Sequence, residues 1–276
     1  MSTVELAVRD VADEQLHRYR FQAKNWGGIS GRLFINEVEI HSFSPQKSQV
    51  SCDDIQNWLM PGDNNVVISI TAGPQAEHDA KTQSHPYYEC SLHGMAQAGF
   101  PNYENCLWEI TIDELSQAPP LTLHYVFGFT SLQVPTSQLW RKAEVVNVLQ
   151  PDDKAALLAL QDSLVGAFER GEVDKVMEIY RFVVSEQALM RDEDISQSMA
   201  QVREEVSYFA ELAQQGLIRF EQEKEVYFNQ LVGNRVVQLR SETGTPTVTL
   251  SAEHGDFIHL NMYAAKIDGQ WILVRR

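Results

Sequence analysis

Apolar residues follow two rhythms along this chain, and the change falls near residue 150. Before it they come in short runs separated by turn residues. Arg32 to Ile40 reads as a hairpin around Asn36-Glu37, since Asn tolerates the positive φ of a tight turn. Pro61-Gly62-Asp63-Asn64 is a turn signal ahead of the buried-strand run Val66 to Ile70. Tyr87 to Leu92, Cys106 to Ile112 and Leu121 to Phe129 are further strands, with Pro119-Pro120 between the last two. Helical stripes are scarce here. Many short strands between turns predict an antiparallel β-sandwich over residues 1–148.

From residue 149 the period lengthens. Leu157, Leu160, Leu164 and Phe168 recur at three- and four-residue steps behind a start at Asp152 or Asp153, with Gly171 as the stop. Val173, Val176, Met177, Tyr180 and Val184 mark a second helix. Ile195, Met199, Val202, Val206, Phe209 and Leu212 mark a third, stopped by Gly216. The polar residues 185–194 between them read as loop. After Gly216 the period returns to strands: Ile218 to Leu231, Arg235 to Arg240, Thr245 to Leu250, and Phe257 to Ile267. A terminal hairpin follows at Asp268-Gly269 with Trp271 to Val274. The prediction for 149–276 is an α+β domain, three helices packed on a curved antiparallel sheet.

Two stretches of this second half resemble the nuclear transport factor 2-like superfamily, the cone-shaped cystatin-like fold. They are Ala167-Phe-Glu-Arg-Gly171-Glu-Val-Asp174 continuing to Tyr180, and Tyr263-Ala-Ala-Lys-Ile-Asp-Gly269-Gln-Trp271-Ile-Leu-Val274. The resemblance implies a cone with an apolar interior. Some members of that superfamily are isomerases, dehydratases or cyclases, and others bind ligands or proteins without chemistry. It also implies dimerisation through the open sheet face, which would bring Arg235, Gln238 and Arg240 to an interface. The chain departs from the pattern by leaving little room for an early strand before the third helix. In the first half, Gly31-Arg-Leu-Phe-Ile-Asn36-Glu37 and Trp58-Leu-Met-Pro61-Gly62-Asp-Asn64 resemble jelly-roll or immunoglobulin-like modules, including the sugar-binding sandwiches of glycosidases. There Glu37 replaces a glycine.

Composition narrows the partners. The 276 residues are 43% hydrophobic and 22% charged, proportions of a globular chain. The formal charge is -16, with 9 basic against 17 acidic residues in 1–150 and 13 against 21 in 151–276, a net -8 in each half. So even an acidic surface argues against nucleic acid and anionic membranes, and fits a basic protein partner. No apolar run approaches the roughly 20 residues of a spanning helix. The start has no signal-peptide pattern, and three cysteines make no disulfide framework, so the reading is cytoplasmic.

Candidate chemistry is thin. Strand parity puts Phe257, His259, Asn261 and Tyr263 on one face. If that face lines the cone, His259 with Asp256 or Tyr227 can do acid–base work, and Asn261 and Tyr263 are ligand contacts. The competing reading packs Ile258, Leu260 and Met262 on the helices and leaves His259 and Asn261 outside. His78, His85, Cys90, His93 and Cys106 share one stretch, and Cys90-Ser-Leu-His93 has a spacing that serves metals, but no second pair completes a site. Glu221, Glu223 and Glu225 alternate as a solvated strand face. Trp26, Trp58, Trp108, Trp140 and Trp271 read as core or interdomain packing. Nucleotide loops, serine elbows and zinc helix motifs are missing. The expectation is a non-catalytic binding protein without cofactor, for a protein or apolar ligand. The alternative is an isomerase, dehydratase or cyclase working in the cone.

Overall fold

A computed structural model describes residues 3–9, 18–26, 28–44, 49–60, 62–72, 87–95, 100–113, 119–129, 137–252 and 257–275. The chain divides into two compact units, Met1–Thr136 and Ser137–Arg276. This division lies ahead of the 148/149 boundary read from the sequence. The reason is that the segment after Ser137 bonds to the second unit: Arg235 Nη1 donates to the Ala143 carbonyl at 2.7 Å, and Glu144 N donates to the Lys266 carbonyl.

The first unit is built of strands β1 (Thr3–Glu5), β2 (Arg18–Asn25), β3 (Ser30–Ile35), β4 (Val38–Phe43), β5 (Gln49–Asp54), β6 (Gly62–Ala72), β7 (Tyr88–Met95), β8 (Cys106–Ile112) and β9 (Leu121–Phe129). One sheet runs β1-β9-β6-β3-β4 and the other β5-β2-β7-β8. Only the β1–β9 pairing is parallel among the described strands. Alternation does the sorting. In β2, Tyr19, Phe21 and Ala23 are fully buried, while Arg18, Arg20, Gln22 and Lys24 between them face outward. Tyr19, Phe21, Tyr88 and Leu92 of one sheet share a core with Leu33, Ile35, Ile68 and Ile70 of the other.

The hairpin expected at Asn36-Glu37 joins β3 to β4, with φ of 50° and 71° at its two central residues. Its Asn36 is also a tie. Asn36 Nδ2 donates to Asn64 Oδ1 at 2.8 Å and to the Trp58 carbonyl at 2.7 Å. Asn64 in turn accepts from Met60 N and donates to the Met60 and Gly62 carbonyls. The two sequence motifs that resemble sandwich modules therefore meet as one buried amide network. Their conspicuous residues hold turns together.

The second unit begins with a short helix, α1 (Gln138–Lys142), which the sequence pattern did not predict. It continues with α2 (Pro151–Glu169), α3 (Val173–Met190) and α4 (Ile195–Gln214). Strands β10 (Ile218–Gln222), β11 (Tyr227–Leu231), β12 (Val236–Arg240), β13 (Val248–Ala252), β14 (Phe257–Leu260), β15 (Met262–Ile267) and β16 (Gln270–Arg275) follow. They form a sheet β11-β12-β15-β16 and a smaller one β10-β13-β14. Leu157, Val165, Val176, Val184 and Val206 of the helices share a core with Val237, Leu239, Val248 and Leu273 of the strands. The chain is thus a mixed α+β protein, mostly strand, with helices and sheets combined in its second unit.

Two expectations need correction. Residues 185–190 are helix rather than loop, because the charged residue among them, Glu186, is buried and partnered. Its carboxylate accepts from Ser137 Oγ and from the backbone N–H groups of Gln138 and Leu139, which open α1, and lies 3.8 Å from Arg275 Nη2. Burial pushes the Arg275 guanidinium down to about 10 against the opposing pull of Glu186. The run Phe257 to Ile267 is also not one strand. It breaks at Asn261, and its halves pair in different sheets, β14 with β13 and β15 with β12.

Candidate functional site

In the second unit, a hollow of about 220 Å³ opens between the helices and the β10-β13-β14 sheet. Phe168 at the end of α2, Tyr180 of α3, Phe209 of α4, and Phe220, Leu250 and Leu260 of the sheet wall it. These are the helical stripe positions of the sequence meeting the inward face of a strand triplet. Register fixes that face: Phe220 pairs with Leu250, Leu250 with Ile258, and Val248 with Leu260. Phe168 and Phe220 stack at 5.2 Å between centroids, and Tyr180 meets Phe168 edge-on at 6.3 Å. The hollow is smaller than the usual 300–1,000 Å³ of ligand pockets, so it suits a small apolar group.

Its ionisable neighbours are at the margin. Glu205 on α4 is exposed. His259 borders the hollow, but its register partner is Thr249, whose Oγ1 lies 3.1 Å from His259 Nδ1. That places the ring on the face shared with Glu221, which accepts from Ser251 Oγ. Ile258 and Leu260 take the inward side.

The remaining candidates are dispersed. Asp256 lies outside the described residues. Tyr227 opens β11 in the larger sheet, half exposed, and does not line the hollow. Tyr263 is buried in β15, its hydroxyl accepting from Gln238 Nε2 at 2.9 Å. Asn261 sits between the two sheets. The break at Asn261 is what separates His259 from Tyr263. Of the acidic row, only Glu221 lies within a strand, and all three are exposed. Arg235 and Arg240 reach backbone carbonyls of Ala143 and Gly244.

In the first unit, Cys90 and His93 stand on opposite faces of β7. Cys90 belongs to the core, where burial raises its thiol pKa, whereas His93 bonds to Ser91 on the other side. His78 and His85 lie outside the described residues. Among the described residues no group of three or more His, Cys, Asp or Glu is placed to hold a metal, and no helix is long and apolar enough to cross a membrane.

A larger groove of about 420 Å³ runs along α3 and β16, floored by Leu160, Ile179, Phe182 and Leu273. It is open to solvent, and its polar rim carries Lys175, Glu178 and Arg181. The aromatic wall of the smaller hollow was not legible as a site, since each residue reads singly as a core position. No protein-family model, curated protein or solved structure matches this chain.

Proposed function

We propose that the C-terminal unit of this chain is a non-catalytic binding module that takes a small apolar group in the hollow between its helices and its smaller sheet. The observation that carries this reading is the lining: Phe168, Phe209, Phe220, Leu250 and Leu260 form its wall, while Glu205 and His259 lie exposed at the margin. An isomerase, dehydratase or cyclase needs a base inside, desolvated and aimed at the substrate. The reading includes a cone-like second domain of the nuclear transport factor 2-like kind after a β-sandwich, a cytoplasmic setting, and an acidic surface suited to a basic protein partner. Self-association through the larger sheet belongs to the same reading.

The test is titration with 1-anilinonaphthalene-8-sulfonate, followed by fluorescence. Saturable binding is expected, and Ile258→Trp should abolish it by filling the hollow from an already exposed position. Binding that survives Ile258→Trp in a folded protein would refute the assignment of the site.

A further inference from the structure

His93 is a buried imidazole with a fully specified set of partners, on the outer face of the β5-β2-β7-β8 sheet. Its Nδ1 lies 3.1 Å from the Asn102 carbonyl and 3.0 Å from Asn105 Oδ1. The Asn105 amide cannot be turned round. Its Oδ1 accepts from Asn102 N at 2.8 Å, and its Nδ2 donates to the Phe100 carbonyl at 2.8 Å. Two acceptors therefore face Nδ1, so Nδ1 carries the proton. In the neutral ring, Nε2 is then an acceptor. Ser91 Oγ lies 2.8 Å from that Nε2, so the serine hydroxyl donates to the imidazole.

This is the relation of a nucleophile to its base, with a third group fixing the tautomer. Strand parity produces it: Ser91 and His93 are two residues apart on β7 and share a face, and the loop 100–105 brings Asn105 beneath the ring. A polar groove of about 270 Å³ opens over the pair. Gln22 is the register partner of Ser91 on β2, which puts their Cβ atoms about 5 Å apart, and both residues line the groove. Lys24, two positions along, adds a cation 3.9 Å from Glu89.

We propose that Ser91, His93 and Asn105 form a nucleophile, base and positioning set that hydrolyses a small polar carboxylic ester. Ser91 Oγ bonds to the acyl carbon as its proton passes to His93 Nε2. The tetrahedral oxyanion is met by Gln22 and Lys24. Its collapse breaks the bond to the alkoxide, which takes the proton from Nε2 and leaves as an alcohol. Water, deprotonated by His93, then attacks the acyl-serine. The carboxylic acid leaves and Ser91 regains its proton. This site is separate from the apolar hollow of the second unit, and either can fail without the other.

The experiment is reaction of the full chain with a fluorophosphonate probe, in which Ser91 Oγ displaces fluoride, followed by peptide mass spectrometry and by p-nitrophenyl acetate hydrolysis. The expected result is a single adduct on Ser91, absent in Ser91→Ala, with the labelling rate of His93→Gln lowered at least about 100-fold. In the intact chain the rate should fall towards acid pH, since an imidazole protonated on both nitrogens cannot take the serine proton. Arg20 and Lys24 on β2, Glu89 on β7, Glu109 and Cys106 on β8, and Tyr103 of the loop are the charged or titratable groups that face the ring or its groove. If His93→Gln does not fold, this acidic limb decides in its place. A folded chain that takes no probe at Ser91, or labels independently of pH there, overturns the proposal.

Discussion

Glu37 sits at φ 71°, a backbone region where an L side chain crowds its own carbonyl. The turn needs positive φ at both central residues, and Asn36 meets that demand more easily than Glu37 does. Strain of about 1–2 kcal/mol is the ordinary magnitude for such a residue, partly offset in a glycine by its looser unfolded chain. Glu37→Gly is therefore expected to stabilise the chain by about 0.5–1 kcal/mol, seen as a higher urea midpoint at unchanged slope. A lower midpoint would mean that contacts of the Glu37 side chain outweigh the strain. The hairpin was legible because two β-rich runs flank two residues. The placing of Cys90 and His93 on β7 was not: Cys90-x-x-His93 looks like a pair in sequence, but a three-residue step on a strand ends on the opposite face.

At the scale of elements, one carboxylate joins the start of the helices to the last hairpin. Asp153 Oδ1 accepts from Lys266 Nζ at 3.0 Å and from Trp271 Nε1 at 2.9 Å, and its Oδ2 accepts from Gln150 N at 3.1 Å. The Trp271 indole first and the Lys266 ammonium second hold its pKa below the ordinary aspartate value. A depressed carboxylate stabilises the fold above its unfolded pKa of about 3.9 and loses that contribution as pH falls through its folded value. Asp153→Asn should thus destabilise the chain at pH 7 by about 1 kcal/mol, the low end for a partly solvated charged hydrogen bond. The gap to the parent should start to narrow below pH of about 4 and close as the folded carboxylate is protonated. Urea midpoints between pH 2 and 7 measure this, and a gap that does not narrow as the pH is lowered below about 4 would contradict it. Helix positions were legible from the apolar stripes. The end of α3 was not, since a buried and fully partnered Glu186 breaks the rule that polar runs are loops. Its partners, α1 and Arg275, are remote in sequence.

At the scale of the molecule, two compact units each enclose a core of their own. Unfolding of such a chain is not a single all-or-none event. Calorimetry is expected to resolve two transitions. Leu33→Ala, fully buried in the first core, should lower one of them, and Val184→Ala in the second core the other. Each substitution lowering both transitions equally would show one cooperative body. The change of rhythm near residue 150 made two regions legible. Their dividing point was less so, because the hydrogen bonds that tie residues 143–144 to the second unit, Arg235 Nη1 to the Ala143 carbonyl and Glu144 N to the Lys266 carbonyl, run between distant parts of the chain.

The paired amides of Asn36 and Asn64 bear on how the protein ages. Asparagine deamidates when the next backbone nitrogen swings onto its side-chain carbonyl carbon and closes a five-membered imide. For Asn64 that nitrogen belongs to Asn65, and it is already donating to Asn36 Oδ1 at 3.0 Å. Both side chains are buried, and both amide groups are committed elsewhere. Each asparagine thus withholds the motion its neighbour's decay requires, so these two turns are built to outlast exposed asparagines in stored protein.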